Sequence, residues 1–124
     1  MGRTILIADD DPDVLEVLSY SLTQAGFSTV TATNGADAIK MARSLSPDLI
    51  VLDVAMPQLD GFTACEALRN ESATARIPIL MLTGLGGQLG RIAGLGGGAN
   101  DYMTKPVEPE QLISRIKLLL RDSH

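Results

Sequence analysis

The stretch Thr4-Ile5-Leu6-Ile7-Ala8-Asp9-Asp10-Asp11-Pro12 decides how this chain is read. Residues 4–8 form a short uncharged aliphatic run, the pattern of a strand buried on both faces. Three acids close it. A helical pattern then opens at Pro12, whose missing N–H costs nothing at a first helical position. Asp11 is placed to cap that helix. A buried strand, a polar rim and a helix make the unit to look for downstream.

The unit recurs along the chain. Val14, Leu15, Val17, Leu18 and Leu22 give the first helix an apolar face, and Gly26 stands just past its end. Ser28–Ala32 is the second strand. Asn34 caps a helix running to about Leu45, with Ala36, Ala38, Ile39, Ala42 and Leu45 apolar, and Ser46-Pro47 ends it. Leu49–Asp53 is the third strand. Pro57 and Asp60-Gly61 are turn signals in the loop that follows. A helix over 60–70 carries Phe62, Cys65, Ala67 and Leu68. Residues 77–82 and 99–103 read as the fourth and fifth strands. Pro106 and Pro109 flank the start of a last helix, where Leu112, Ile113, Ile116, Leu119 and Leu120 recur at helical spacing. Strands alternating with helices predict an α/β fold, a doubly wound parallel sheet of five strands with helices on both faces. Right-handed crossovers then require the winding to reverse once, and ligands bind in the crevice at that reversal.

Composition bounds the function. A chain of 124 residues suits one domain, 1–124, with one core. Hydrophobic residues are 45% and aromatics only 3%, so the core must be aliphatic. A net charge of -5 argues against direct binding to nucleic acid or to an anionic membrane. The single cysteine allows no internal disulfide, which suits a reducing compartment. Cys65 is expected to be a small apolar packing residue. No leader pattern and no long apolar run stands out, so a cytoplasmic protein is expected.

Residues 84–98 hold eight of the twelve glycines: Gly84, Gly86, Gly87, Gly90, Gly94, Gly96, Gly97 and Gly98. Leu89, Arg91, Ile92, Ala93 and Leu95 still suggest an amphipathic fourth helix. Each interior glycine costs roughly 0.5–1 kcal/mol relative to alanine. The sequence therefore predicts a short, frayed or interconverting helix here.

Four polar signatures fall where predicted strands run out: Asp9-Asp10-Asp11, Asp53, Thr83 and Lys105. In an open parallel sheet such positions converge on one crevice. Carboxylates, a hydroxyl and an ammonium gathered there suit a divalent cation and a phosphoryl group. Each has a plainer reading alone. The acids could cap a helix, Asp53 could end a strand at the surface, Thr83 could satisfy a backbone group, and Lys105 could be solvated. Their joint placement is what favours a site.

Taken together, these residues resemble the receiver domain of two-component response regulators. The likeness rests on Ile5-Leu6-Ile7-Ala8-Asp9-Asp10-Asp11, on Asp48-Leu49-Ile50-Val51-Leu52-Asp53 with Met56-Pro57 and Asp60-Gly61, on Leu82-Thr83-Gly84, and on Gly98-Ala99-Asn100-Asp101-Tyr102-Met103-Thr104-Lys105-Pro106. It implies a flavodoxin-like strand order, 2-1-3-4-5. It implies that Asp53 is the phosphoacceptor and that Mg2+ is held by Asp10 directly, Asp9 through water, Asp53 and the Ala55 carbonyl. Thr83 would donate to the phosphoryl group and Lys105 would pair with one of its oxygens. Tyr102 would be the aromatic switch, although an ordinary packed aromatic is the alternative at that position. Pro106 would permit a cis bond. The implied partner is a sensor histidine kinase or a histidine phosphotransfer protein. The output partner is unknown, and the dimer face the likeness implies is the fourth helix, fifth strand and last helix. Gly84, Gly96 and Gly97 depart from the commonest family pattern, which leaves the chemistry intact but loosens the region meant to report it.

Two rival functions remain open on sequence alone. One is a receiver-like interaction module that works without phosphate. The other is a phosphohydrolase of the haloacid type, but such enzymes carry a second acid two residues after the nucleophile, and here that residue is Ala55. The expectation is a signalling domain that phosphorylates itself and slowly loses the group by hydrolysis, and not an enzyme acting on others. A dinucleotide fingerprint, Gly94-x-Gly96-x-x-Ala99, fits by letter only. It precedes a strand instead of following one.

Overall fold

The computed structural model describes residues 2–84 and 98–122. Its strands are β1 (Thr4–Ala8), β2 (Ser28–Ala32), β3 (Leu49–Asp53), β4 (Ile79–Thr83) and β5 (Asp101–Thr104). Its described helices are α1 (Pro12–Gln24), α2 (Gly35–Leu45), α3 (Gly61–Arg69) and a C-terminal helix (Pro109–Asp122). The sheet is parallel throughout, in the expected order β2-β1-β3-β4-β5. The expectation of a weak fourth helix falls on 85–97 and lies outside the described residues.

Strand alternation divides the aliphatic residues between two cores. Leu6, Ala8, Ile50, Leu52, Ile79 and Met81 point to one face, where α2 and α3 cover them with Ala38, Ala42, Ala64, Cys65 and Leu68. Ile5, Ile7, Leu49, Val51, Leu80, Leu82 and Met103 point to the other, under Leu15, Leu18 and Leu22 of α1 and Leu112, Ile116 and Leu120 of the C-terminal helix. Both faces of β3 and β4 are thus buried, which is why these strands read as continuous apolar runs. Cys65 is fully buried among these side chains, as its apolar neighbours suggested.

The helix starts follow the local chemistry closely. Asp11 accepts from the Asp13 N–H at 2.9 Å, Asn34 from Asp37 at 2.8 Å and Asp60 from Thr63 at 2.8 Å. Each supplies an acceptor to a backbone donor that has no partner within its helix. Gly26, at φ 99°, turns the chain after α1 into β2.

The fourth and fifth strands begin two residues later than the sequence pattern suggested, for a common reason. Pro78 has no N–H to give a ladder, and the Ile77 N–H closes a turn onto the Thr74 carbonyl. The Asn100 side chain takes over as a strand substitute. Its Oδ1 accepts from the Ile79 N–H at 2.9 Å and from Arg69 Nη2 at 2.6 Å. Arg69 also donates to the carbonyls of Gly98, Ala75 and Ile77. One guanidinium therefore fastens the end of α3 to the entries of β4 and β5. Nothing in hydrophobic periodicity announces this, because Arg69 reads as an ordinary cation in the last turn of a helix.

Replacing Asn100 by Ala should strand the buried Ile79 N–H. The expected loss is about 2 kcal/mol of unfolding free energy in urea. A loss below about 0.5 kcal/mol would show that the side-chain bridge is dispensable.

Candidate functional site

The site stands on the carboxyl-end rim of the sheet. Asp9 follows β1 directly, and Asp53 closes β3. They lie on adjacent strands, because β1 pairs with β3 in the order β2-β1-β3. This is the point where the winding reverses, so no crossover helix fills the gap above it. Asp9 is fully buried and Asp53 is 1% exposed, while Asp10 faces solvent. One carboxylate oxygen from each of these three lies within 4.8 Å of the others.

Lys105 reaches into this group from the end of β5. Its Nζ is 2.9 Å from Asp53 Oδ1 and 3.1 Å from Asp9 Oδ2. The Lys105 N–H is bonded to the Thr83 carbonyl at 2.8 Å, which ties the base of its side chain to the sheet. The Lys105-Pro106 bond is cis, as the likeness to receivers implied. Burial opposes the Lys105 charge and is the largest single influence on it. The Asp53 and Asp9 carboxylates together outweigh burial, so its pKa lies above the ordinary 10.5.

The acids are not equivalent. Asp9 Oδ1 accepts from the Asp11 N–H at 2.9 Å. Its Oδ2 is buried, faces the ammonium, and has no partner in hydrogen-bonding geometry among the described residues. The 3.1 Å separation is an ion pair without the alignment of a hydrogen bond. Asp11 points away to cap α1. The plain capping reading of the acid run therefore holds for Asp11, while Asp9 and Asp10 join Asp53. A buried carboxylate oxygen with unused acceptor capacity, beside two more acids, fits a small hard dication that prefers oxygen ligands.

Thr83 closes β4 and is 1% exposed. It falls in the other alternation from Asp53 and Lys105. Its strand-mate Met81 belongs to the α2–α3 core, as does the half-buried Tyr102, which is paired in register with Met81. Thr83 and Tyr102 thus share a face of the sheet. Ala55 is exposed in the loop after β3, and its N–H lies 3.4 Å from Asp53 Oδ1. Asp9, Asp10, Asp53 and Lys105 form one cluster, Thr83 closes β4 on the same rim, and Tyr102 stands within β5.

Comparison with known proteins places the fold in a family. Residues 5–117 match the family described as the response regulator receiver domain. This chain belongs to that family. The receiver is 45% identical to the DNA-binding dual master transcriptional regulator RpaA of Synechocystis sp. over 94% of this chain and 48% of that protein. It is 42% identical to the alkaline phosphatase synthesis transcriptional regulatory protein PhoP of Bacillus subtilis over 99% and 50% respectively. The receiver spans about half the length of these relatives. The expectation of no nucleic-acid partner gains no support from them. Among solved structures, a putative response regulator from Chloroflexus aurantiacus J-10-fl superposes with a TM-score of 0.93 at 40% identity, over 98% of this chain and 99% of that one. The receiver domain of sensor histidine kinase PA1611 from Pseudomonas aeruginosa PAO1, with a magnesium ion coordinated in its active site cleft, gives 0.89 at 29% identity, over 97% and 98%. Among the described residues, no helix is long and apolar enough to cross a membrane.

The raised Lys105 pKa sets a pH dependence. A lysine whose folded pKa is raised contributes stability fully present below its unfolded value and lost as pH climbs through the folded one. In chelator, the stability gap between the wild type and Lys105→Met should therefore narrow as pH rises past 10.5. Urea unfolding at a series of alkaline pH values reads this, and a constant gap would contradict it.

Proposed function

We propose that this receiver accepts a phosphoryl group on Asp53 from a phosphohistidine of a sensor histidine kinase or histidine phosphotransfer protein. The observation that carries the reading is Asp53 itself, a buried carboxylate at the rim, 2.9 Å from an ammonium and beside two further acids. An Asp53 oxygen would attack phosphorus as the phosphohistidine P–N bond breaks, its electron pair returning to the imidazole nitrogen. Lys105 supplies fixed positive charge where the transferred oxygens gather negative charge. Asp9, Asp10, Asp53 and the Ala55 carbonyl would hold Mg2+, which when bound neutralises charge on the group in transfer. The magnesium coordinated in the PA1611 receiver supports this assignment.

Thr83 would then donate its hydroxyl to the new phosphoryl oxygens. Tyr102, on the same face of the sheet, would take up the space released. The two states would differ at β5 and the C-terminal helix, a population shift driven by about 1.5–2 added negative charges. Slow hydrolysis of the acyl phosphate would reset the domain. A groove of about 560 Å³ lined by Val14, Val17 and Leu18 of α1 with Leu82, Pro106 and Val107 opens beside Lys105. Its apolar lining suits a phosphodonor that arrives as a protein surface. By likeness to RpaA and PhoP, the proposed output is control of transcription, with any DNA contact made outside this acidic domain. A dimer through β5, the C-terminal helix and the predicted fourth helix belongs to the same proposal, as does a cytoplasmic location.

Incubation with a small phosphodonor should give a magnesium-dependent mobility shift on a phosphate-affinity gel, absent in Asp53→Asn. A shift that survives this substitution would move the phosphoacceptor elsewhere. No shift in the wild type would favour an interaction module that works without phosphate.

Metal linkage gives a second test. Magnesium at a hundredfold excess over its dissociation constant should add about 2.7 kcal/mol to unfolding free energy. Asp10→Asn relieves like-charge repulsion, so it should raise metal-free stability by about 0.5–2 kcal/mol and shrink the magnesium increment. An unchanged increment would remove Asp10 from the ligand set.

A further inference from the structure

The loop over 54–60, which carries Ala55, runs in a constrained course. The Val54 carbonyl accepts from both the Met56 and the Gly61 N–H, at 3.1 and 2.9 Å. The Leu59 N–H bonds back to the Pro57 carbonyl at 2.7 Å around Gln58, whose φ is 70°. This is the rare hand of a γ-turn, and such backbone persists only where its surroundings hold it.

Two helix starts do the holding. Gly61, the first residue of α3, lies flat on the end of β3. A Cβ built there would overlap the Asp53 carbonyl oxygen and come within 2.9 Å of Val54 Cα. Gly35, the buried first residue of α2, presses on the far end of the loop. A Cβ there would sit 2.5 Å from the Leu59 carbonyl oxygen and 3.1 Å from its Cβ and Cγ. Both obstacles include backbone, so neither contact can be eased by swinging a side chain aside. The loop is thus held close between the starts of two helices, at Leu59 and at the end of β3.

We propose that Gly35 and Gly61 are positioning residues for the cation site: their missing side chains let α2 and α3 grip the 54–60 loop and fix the course that presents Ala55. The inference rests on the reading of Asp9, Asp10, Asp53 and Ala55 as magnesium ligands. It adds a residue on α2, remote in sequence from every ligand, to the groups that set metal affinity. Any side chain at position 35 must displace the Leu59 backbone and pull the loop away from Asp53.

The test is magnesium titration by calorimetry, on protein whose folding is verified by circular dichroism. Gly35→Ala should bind magnesium about tenfold more weakly, as when a group that orients a ligand is lost. Ala38→Gly is the control. It weakens the same helix without adding bulk against Leu59, so it should lower Tm and leave affinity within about twofold. Should Gly35→Ala fail to fold, Leu59→Gly opens the same clamp from the other side with no added bulk, and it too should weaken binding. Wild-type affinity in the folded variant, with magnesium still taken up by the parent, overturns the clamp and leaves the ligand assignment standing. A parent chain that takes up no magnesium overturns both. Equal loss in Ala38→Gly would reduce the effect to general destabilisation and overturn the clamp as well.

Discussion

Among the described residues, three carboxylates meet at the rim of this sheet and one ammonium pairs with two of them, and that imbalance is the constraint the site must satisfy. Lys105 lies between Asp9 and Asp53 and keeps two nearly dry acids tolerable side by side. It cannot neutralise all three, since Asp10 completes the cluster. Charge of one sign gathered in a place poor in water is unfavourable unless matched. The folded state holds the cluster because the sheet beneath it is buried on both faces and has no way to yield. In the proposed reading, affinity for a further cation would follow from that rigidity.

The same sheet separates the residues of the proposed chemistry from those of the proposed readout. Asp53 and Lys105 follow the alternation of the α1 side, and Thr83 and Tyr102 that of the α2–α3 side. The ends of β3 and β4 lie between Asp53 and the strand that carries Tyr102. Those two strands pair in register up to Asp53 and Leu82, and the Leu82 carbonyl takes the Val54 N–H. Thr83 stands at that seam. In the proposed switch its hydroxyl faces the new charge while belonging to the Tyr102 side.

Much of this was legible in the sequence because it depends on local rules. The first three strands lie where the sequence pattern places them, and Asp11 and Asn34 cap the helices they precede, while Asp60, which read as a turn residue, proves to cap α3. The convergence of Asp9, Asp53 and Lys105 follows from topology, since strand ends in a parallel sheet share a rim. What periodicity could not carry was anything fixed by contacts between distant segments. The late starts of β4 and β5 depend on Asn100 and Arg69 reaching across from other elements. Gly35 read as the start of a helix, and Gly61 as half of a turn signal. Their closeness to Leu59 and Asp53 has no one-dimensional trace.

Those two glycines bear on how a site of this kind stays functional at all. A crevice of like charges gains from loosening, because any motion that spreads the acids lowers its energy. Selection for stability alone would let the loop beside Asp53 relax outward. Contact of helix backbone against loop backbone resists that drift in a way side chains cannot, since no rotamer change eases it. In the proposed clamp, the absence of a Cβ at positions 35 and 61 is part of the site: it lets α2 and α3 hold the end of β3 and the loop that presents Ala55 beside the acids.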